Sequence, residues 1–165
     1  MTIASAIRLP MFVLLGLPFA ALPMLMGPLT AAATPGPAPK AAIVARQAGY
    51  KKMGTAMKAL NDQLKSDAPV KSIMAGAAQT LATTAREQPR LFPAGSGPTA
   101  GIATDALPNI WTERATFDAQ MAKLITESGK LIAIVNQGNP DAIRVQAKAT
   151  GATCAACHRQ FRADT

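Results

Sequence analysis

Four segments of the sequence repeat apolar residues at steps of three and four positions, which is the periodicity of an amphipathic helix. They extend over residues 40–66, 69–87, 108–136 and 139–161. Each helix has one apolar stripe, and a stripe leaves water only when other helices cover it. The sequence therefore predicts an all-α protein, an antiparallel four-helix bundle of up-down-up-down topology.

The second and third predicted helices are joined by a long segment, residues 88–107, that is rich in proline and glycine. Pro93, Gly95, Pro98 and Gly101 interrupt any helical pattern there. We expect an ordered loop with a function, because structureless connections of this length are uncommon in compact domains. The third and fourth helices, by contrast, are separated only by a short turn.

The first 33 residues have the composition of a secretory signal. Arg8 is the only charged side chain among them, residues 9–29 are apolar, and Ala31-Ala32-Ala33 is typical of a cleavage site. An uncleaved membrane anchor is the alternative, but four prolines in the apolar run favour the signal. We expect export to the bacterial periplasm and three regions: a signal peptide over 1–33, a proline-rich leader over 34–39 and the folded domain over 40–165.

Composition separates this chain from disordered tails and from most nucleic-acid-binding proteins. Lys and Arg number 17 and Asp and Glu 9, a formal net charge of +8, yet 49% of the residues are apolar. Aromatic residues make up only 4%, so few side chains could stack on bases. The basic residues are also spread over all four helices. We expect no nucleic-acid partner, and a basic surface suits an acidic partner protein instead.

Residues 154–158 read Cys-Ala-Ala-Cys-His, the motif by which haem c is attached to proteins. On a helix Cys154, Cys157 and His158 share one face, so both sulfurs can form thioethers to one haem while the imidazole ligates its iron. The alternatives are a redox-active dithiol, which lacks its usual strand–helix–strand context, and a zinc site. Zinc would lack ligands, because the chain has one histidine and two cysteines. We predict one covalent haem c, a redox centre that needs a redox partner protein.

The other axial position of the iron is not decided by the motif. His158 is the only histidine, so this position is taken by a methionine, by a weak ligand or by none. A methionine on an apolar stripe more often fills a core than binds a metal. Four methionines beyond the signal segment lie on such stripes: Met53, Met57, Met74 and Met121.

The motif lies a few residues from the end of the sequence, preceded by Gly151-Ala152-Thr153 and followed by Arg159-Gln160-Phe161-Arg162. With this placement, the chain resembles the cytochrome c′ family, the class II c-type cytochromes. The resemblance covers nearly all of residues 40–162 and implies a haem-carrying four-helix bundle. Three further stretches agree with the family pattern: residues 46–50 with Met53-Gly54, residues 91–95, and residues 108–111 with Phe117.

The resemblance also implies roles for single residues. Arg46 and Gln47 match an Arg-Gln pair that lies beside the haem propionates, although two polar residues on a solvated helix face are the alternative. Tyr50 takes the position over the distal haem face where low-spin relatives carry a ligating methionine, which implies a five-coordinate, high-spin iron. Arg162 matches a basic residue near the proximal imidazole; the alternative is an arginine that compensates the helix dipole.

Two functions follow from a haem in such a bundle. The first is electron transfer, and the second is binding of small uncharged ligands such as NO and CO at a vacant iron position. A dedicated NO-binding, NO-detoxifying or gas-sensing protein and a Met-ligated, low-spin electron carrier are the alternatives. We expect no enzymatic activity, since no distal His and Arg pair is available to cleave a peroxide. The family resemblance also implies a homodimer through the first two helices.

Overall fold

The computed structural model describes residues 37–164. No helix in this part of the chain is both long enough and apolar enough to cross a bilayer. The predicted signal peptide and the leader up to residue 36 lie outside the described residues. The helices are α1 (Pro39–Lys65), α2 (Lys71–Glu87), the single turn α3 (Asn109–Thr112), α4 (Arg114–Gln137) and α5 (Pro140–Phe161), with 3₁₀ turns at Gln88–Leu91 and Pro98–Ala100.

The four long helices pack as a bundle. Helix α1 packs along α2, α2 along α4, and α4 along α5, whereas α1 and α5 contact each other more sparingly. The bundle is therefore least closed between its first and last helices. The predicted antiparallel four-helix bundle is confirmed. All four long helices contribute fully buried side chains to the core: Leu60, Leu81, Leu131, Val135 and Ile143.

The cap of α5 follows from its sequence, whereas the start of α2 differs from the prediction. Asn139 caps α5, since its Oδ1 accepts hydrogen bonds from the backbone N–H groups of Asp141 and Ala142 at 3.0 and 3.1 Å, and asparagine is a favoured residue at this position. The predicted start of the second helix at Pro69 is two residues early. Val70 is still extended, and its N–H donates to Gln63 Oε1 of α1 at 2.8 Å instead of entering the helix.

The third predicted helix, over residues 108–136, is wrong as a continuous element. Glu113 leaves the helical conformation, with φ −108° and ψ 39°, and separates α3 from α4. Tertiary hydrogen bonds hold this break. Arg114 Nη1 donates to the carbonyl oxygen of Phe92 at 2.9 Å, and Gln160 Nε2 donates to the Glu113 carboxylate at 3.0 Å. The periodicity of apolar side chains cannot predict such contacts between distant residues.

The segment between α2 and α3 is a packed loop, as the sequence predicts. Phe92 is buried and meets the ring of Phe117 edge-on, with 4.7 Å between the ring centroids. Trp111 Nε1 donates to the carbonyl oxygen of Pro93 at 3.0 Å. Gly95 lies in the left-handed region at φ 77°, which a residue with a side chain rarely adopts. The buried face of the loop forms part of the candidate site.

Candidate haem site

A cavity of about 610 Å³ opens among the helices and the loop. This volume falls within the range of sites that hold cofactors or drug-sized ligands. Helices α1, α4 and α5 supply most of the lining, α2 contributes Leu81, and the loop contributes Phe92 and residues 104–106. Most of the wall is apolar, with Phe117, Met121 and Leu124 of α4 among its side chains.

The haem-attachment motif lies on the α5 wall of this cavity. Cys154, Cys157 and His158 all line it, because positions separated by three and four residues share a helical face. Both cysteines are half-buried and unpaired, and Cys154 Sγ lies 3.7 Å from the carbonyl oxygen of Thr150 one turn earlier. The three groups thus face one space large enough for a cofactor.

The protonation of these side chains argues against the dithiol alternative. Burial raises the pKa of the Cys154 thiol, and burial together with the neighbouring Cys154 sulfur raises the pKa of Cys157 to about 11. Reactive Cys-x-x-Cys sites have lowered pKa values instead, because the thiolate is their nucleophile. Zinc is not favoured either: within residues 37–164 no three His, Cys, Asp or Glu side chains come together in a metal-binding group.

The imidazole of His158 is kept neutral by its surroundings. Partial burial is the main cause that lowers the pKa of His158, and the nearby positive charge of Arg162 lowers it further. A neutral imidazole is the form that ligates a metal. The site therefore favours the protonation state that an axial iron ligand requires.

Tyr50 lies on the α1 wall, beside the motif. Its hydroxyl donates a weak hydrogen bond to Met121 Sδ of α4 at 3.9 Å. Burial is the main cause that raises the pKa of Tyr50, so the side chain stays a neutral phenol. Met53, Met57 and Met121 also line the cavity, whereas Met74 packs in the bundle core away from it.

Arg46 is a buried cation whose hydrogen-bond acceptors among residues 37–164 are all neutral. The side chain is 2% exposed. Nη1 donates to Ser96 Oγ at 3.0 Å, and Nη2 donates to the Ser96 carbonyl oxygen and to Thr104 Oγ1, both at 2.8 Å. Desolvation lowers the pKa of Arg46. Since buried charges are normally paired, a cation on the cavity wall that lacks an acidic partner fits the propionates of a haem.

The structure places Arg46 and Gln47 differently from each other. Arg46 is not on a solvated helix face, which was the alternative raised by the sequence. Gln47 is exposed at the edge of the cavity, and its Nε2 donates to the carbonyl oxygen of Ala103 at 2.8 Å. Both side chains therefore connect α1 to the long loop as well as lining the cavity.

Arg162 lines the cavity just beyond the end of α5 and forms an ion pair with Asp105 at 3.2 Å. Its backbone is extended, with φ −120° and ψ 135°, although its N–H still donates to the carbonyl oxygen of His158. Sequence reasoning missed Asp105, as it missed the Ser96 and Thr104 acceptors of Arg46. These residues lie in the aperiodic loop, where no spacing could identify them.

A four-helix bundle whose last helix presents a Cys-x-x-Cys-His motif to a cavity has the architecture of a bundle-type c-type cytochrome. The family model described as Cytochrome C′ matches residues 41–162. The chain belongs to the cytochrome c′ family, whose members bind a single covalent haem c. The family, the fold and the cofactor expected from the sequence are confirmed.

Known relatives agree with this membership. Cytochrome c′ of Rhodospirillum rubrum is 36% identical over 109 residues, which cover 66% of this chain and 72% of the relative. The crystal structure of cytochrome c′ from Thermochromatium tepidum is similar at a TM-score of 0.74 and 26% identity, over 78% of this chain and 99% of that one. A nitric oxide complex of a cytochrome c prime mutant from Alcaligenes xylosoxidans is similar at a TM-score of 0.70 and 25% identity, over 77% and 97% of the chains.

Proposed function

We propose that this chain is an exported monohaem electron-transfer protein whose iron has His158 as its axial ligand and binds NO or CO at the opposite position. One observation carries the proposal. Cys154, Cys157 and His158 share one wall of an apolar cavity that Tyr50 of α1 also lines, and the family resemblance assigns to Tyr50 the distal position where low-spin relatives carry a methionine. The bound haem supplies one-electron redox chemistry and a vacant coordination position.

The residues of this chain bind and orient the haem and exclude water from it. Cys154 and Cys157 form the two thioethers, and neutral His158 points its imidazole into the same cavity. Arg46, held by the loop, offers its charge to a propionate, with Gln47 at the edge as an amide donor. Apolar side chains keep water and charged solutes away from the iron.

Gas binding is supported by the cavity lining and by one relative. Small uncharged molecules can enter an apolar space that charged ones avoid. The cytochrome c prime variant of Alcaligenes xylosoxidans forms a nitric oxide complex. A dedicated NO-binding, NO-detoxifying or gas-sensing role would use the same site. Comparing the rate of NO binding with the rate of electron transfer distinguishes such a role from that of an electron carrier.

A Met-ligated, low-spin electron carrier is the second candidate. The observation that favours it is the presence of Met53, Met57 and Met121 in the cavity lining. Tyr50 and Met53 both face the cavity, and a thioether that reached the iron would occupy the position needed by NO.

The absorption spectrum of the purified ferric and ferrous protein tests the proposal, together with a pyridine-haemochrome assay and a titration with NO and CO. We expect one haem per chain, high-spin spectra, and binding of both gases. A low-spin spectrum with a sulfur-to-iron band that leucine substitution at Met53, Met57 or Met121 abolishes would establish the second candidate instead. Colourless protein of bare-polypeptide mass would overturn both.

We propose export to the periplasm, with residues 1–33 as the signal. Mass spectrometry of the mature protein tests this, and we expect a chain that begins at Thr34 and carries one haem. A chain that retains Met1 and sediments with membranes would identify an uncleaved anchor.

We propose an acidic protein as redox partner, since the full sequence has a net charge of +8 and loses only Arg8 with the proposed signal. Its binding should weaken as salt increases. We also propose a homodimer through α1 and α2, since Val44 of α1 and Ile73 of α2 are exposed, as is Val70 just before α2. A monomeric mass in sedimentation at all concentrations would exclude the homodimer.

We assign the protein no enzymatic activity, because His158 is its only histidine and no second one can serve as a distal acid or base.

A further inference from the structure

The hydroxyl of Tyr50 lies in the cavity with a poor acceptor. Among residues 37–164, its one hydrogen bond goes to the thioether sulfur of Met121 at 3.9 Å. Sulfur is a weak acceptor compared with oxygen. A largely buried O–H group whose acceptor is this weak stands to gain from any better acceptor that enters the cavity.

Neighbouring donors in the cavity are already used. The Arg46 Nη groups donate to Ser96 and Thr104, and the Gln47 amide donates to Ala103. The Thr153 hydroxyl donates to the carbonyl oxygen of Thr150 at 2.7 Å. Tyr50 therefore stands out among these as a donor with spare capacity; the half-buried amide of Gln120, which also lines the cavity, is the rival donor.

Met121 fixes where this donor is held. It is 2% exposed and packs in a cluster with Phe92, Ile110, Phe117 and Phe161, so its sulfur has little freedom to move. Tyr50 packs against the same cluster from α1. The weak O–H···S contact thus ties the phenol of one helix to a rigid point on another.

We propose that Tyr50 is a specificity-determining hydrogen-bond donor to diatomic ligands in the cavity and that Met121 is the competing acceptor that holds its hydroxyl when no ligand is bound. The inference rests on the proposed haem site. A ligand whose outer atom draws electron density from the iron, as in NO, is a better acceptor than sulfur and takes the hydroxyl from Met121. CO is a poorer acceptor and gains little. The protein then selects NO over CO by a polar contact within an otherwise apolar pocket.

The test compares holoprotein variants by their equilibrium affinities for NO and CO and by the N–O and C–O stretching frequencies of the two complexes. Tyr50→Phe keeps the ring and removes the donor, so the ratio of NO to CO affinity should fall about fivefold or more, the order expected for one hydrogen bond. The N–O frequency should shift more than the C–O frequency. If the substitution also lets both gases enter faster, that effect is common to NO and CO and cancels in the ratio of their affinities.

Met121→Leu keeps the volume and removes the competing acceptor, so the NO to CO ratio should rise. In a Tyr50→Phe background, the same substitution should leave the ratio unchanged. Met74→Leu is the matched control, since Met74 is also buried but lies outside the cavity, and its ratio should equal that of the unaltered protein.

An unchanged ratio and unchanged stretching frequencies in Tyr50→Phe, in a protein that still binds both gases, would overturn this inference and leave the proposed function intact. A fall in the NO to CO affinity ratio with Gln120→Leu but not with Tyr50→Phe would also overturn the inference. The donor would then be the side-chain amide of Gln120, which also lines the cavity. Absence of gas binding in the unaltered protein would remove the proposed function and the inference with it.

Discussion

The guanidinium of Arg46 lies over the ring of Phe92, with 4.7 Å between its Cζ and the ring centroid. The same guanidinium donates hydrogen bonds to loop residues Ser96 and Thr104. One side chain of α1 thus holds three points of the long loop over the cavity. The arrangement combines cation–π contact with the fixed fork of donors that only arginine offers.

Arg46→Met should therefore lower the free energy of unfolding of the holoprotein by about 2–4 kcal/mol, because it removes several hydrogen bonds of a buried charged group. Urea denaturation measures this loss. Arg86→Met, at an exposed position of α2, should stay within about 0.5 kcal/mol of the unaltered protein. Arg46→Lys should not restore stability, since an ammonium lacks the fork. If Arg46→Met lowered the free energy of unfolding as little as Arg86→Met does, Arg46 would not be holding the loop in place.

Gly49 is required by the close approach of Gln88. A Cβ at Gly49 would overlap Gln88 Nε2, and Gln88 is 1% exposed and so cannot swing into solvent. Gly49→Ala should lower the free energy of unfolding by about 1–3 kcal/mol, the usual cost of overpacking. Chemical denaturation of the single variants and of Gly49→Ala combined with Gln88→Ala measures it.

The control for this overlap is Gly129→Ala in α4, where a Cβ would meet no atom within 4 Å. It should stabilise the protein by up to about 1 kcal/mol through helix propensity. In the double variant, the cost of Gly49→Ala should largely disappear because the overlapping amide is gone. Additive losses in the double variant would argue against the overlap.

Tyr50 makes the stability of the protein depend on alkaline pH. Burial raises the pKa of Tyr50 above its ordinary value near 10, so the folded state keeps the phenol protonated while the unfolded state ionises. The stabilisation is complete below pH 10 and is lost as the pH rises towards the folded pKa. Above pH 10, the free energy of unfolding should fall by up to about 1.4 kcal/mol per pH unit more than in Tyr50→Phe.

Because Tyr50 is the only tyrosine, phenolate absorbance reports this residue alone. A difference titration of the folded protein should show little phenolate until well above pH 10. All other titratable groups are shared with Tyr50→Phe, so their contributions cancel in the comparison of the two proteins. A phenolate transition near pH 10 in the folded protein would show that Tyr50 is solvated.

Local patterns predicted the bundle and the cavity wall of α5, because helix periodicity and the spacing of Cys154, Cys157 and His158 are properties of one helix. The placement of Arg46 depends on acceptors far along the chain, such as Thr104, 58 positions away. The break at Glu113 likewise depends on Phe92 and Gln160. Such contacts form only when the helices pack, so no local pattern encodes them.

The cavity-facing side chains show the same division. Family resemblance implies a distal role for Tyr50, but its hydrogen-bond partner Met121 lies 71 positions away and is interpreted from the sequence as core. Met121 is indeed buried with the aromatic cluster and also lines the cavity. The sequence could not predict that Met121 lies in both the core and the cavity wall, because residues of one apolar stripe contribute to both.

The loop and the C-terminus are joined by two kinds of contact of unequal strength. Asp105 and Arg162 form an ion pair, but both side chains are nearly half exposed, so their coupling should not exceed about 1 kcal/mol and should fade in high salt. The backbone bonds are shielded better: Ala163 N–H donates to the Asp105 carbonyl oxygen at 2.8 Å, and Leu107 N–H to that of Phe161 at 3.0 Å.

Ala163→Pro should consequently cost more than Asp105→Asn, about 1–3 kcal/mol, because it removes the donor to Asp105. Arg162 already has the extended backbone that a residue before proline requires, so the loss reports the hydrogen bond. Hydrogen exchange should show faster exchange of the Leu107 amide in Ala163→Pro and an unchanged rate in Asp164→Pro, whose N–H makes no hydrogen bond within residues 37–164. Equal exchange rates in the two variants would assign the junction to the ion pair instead.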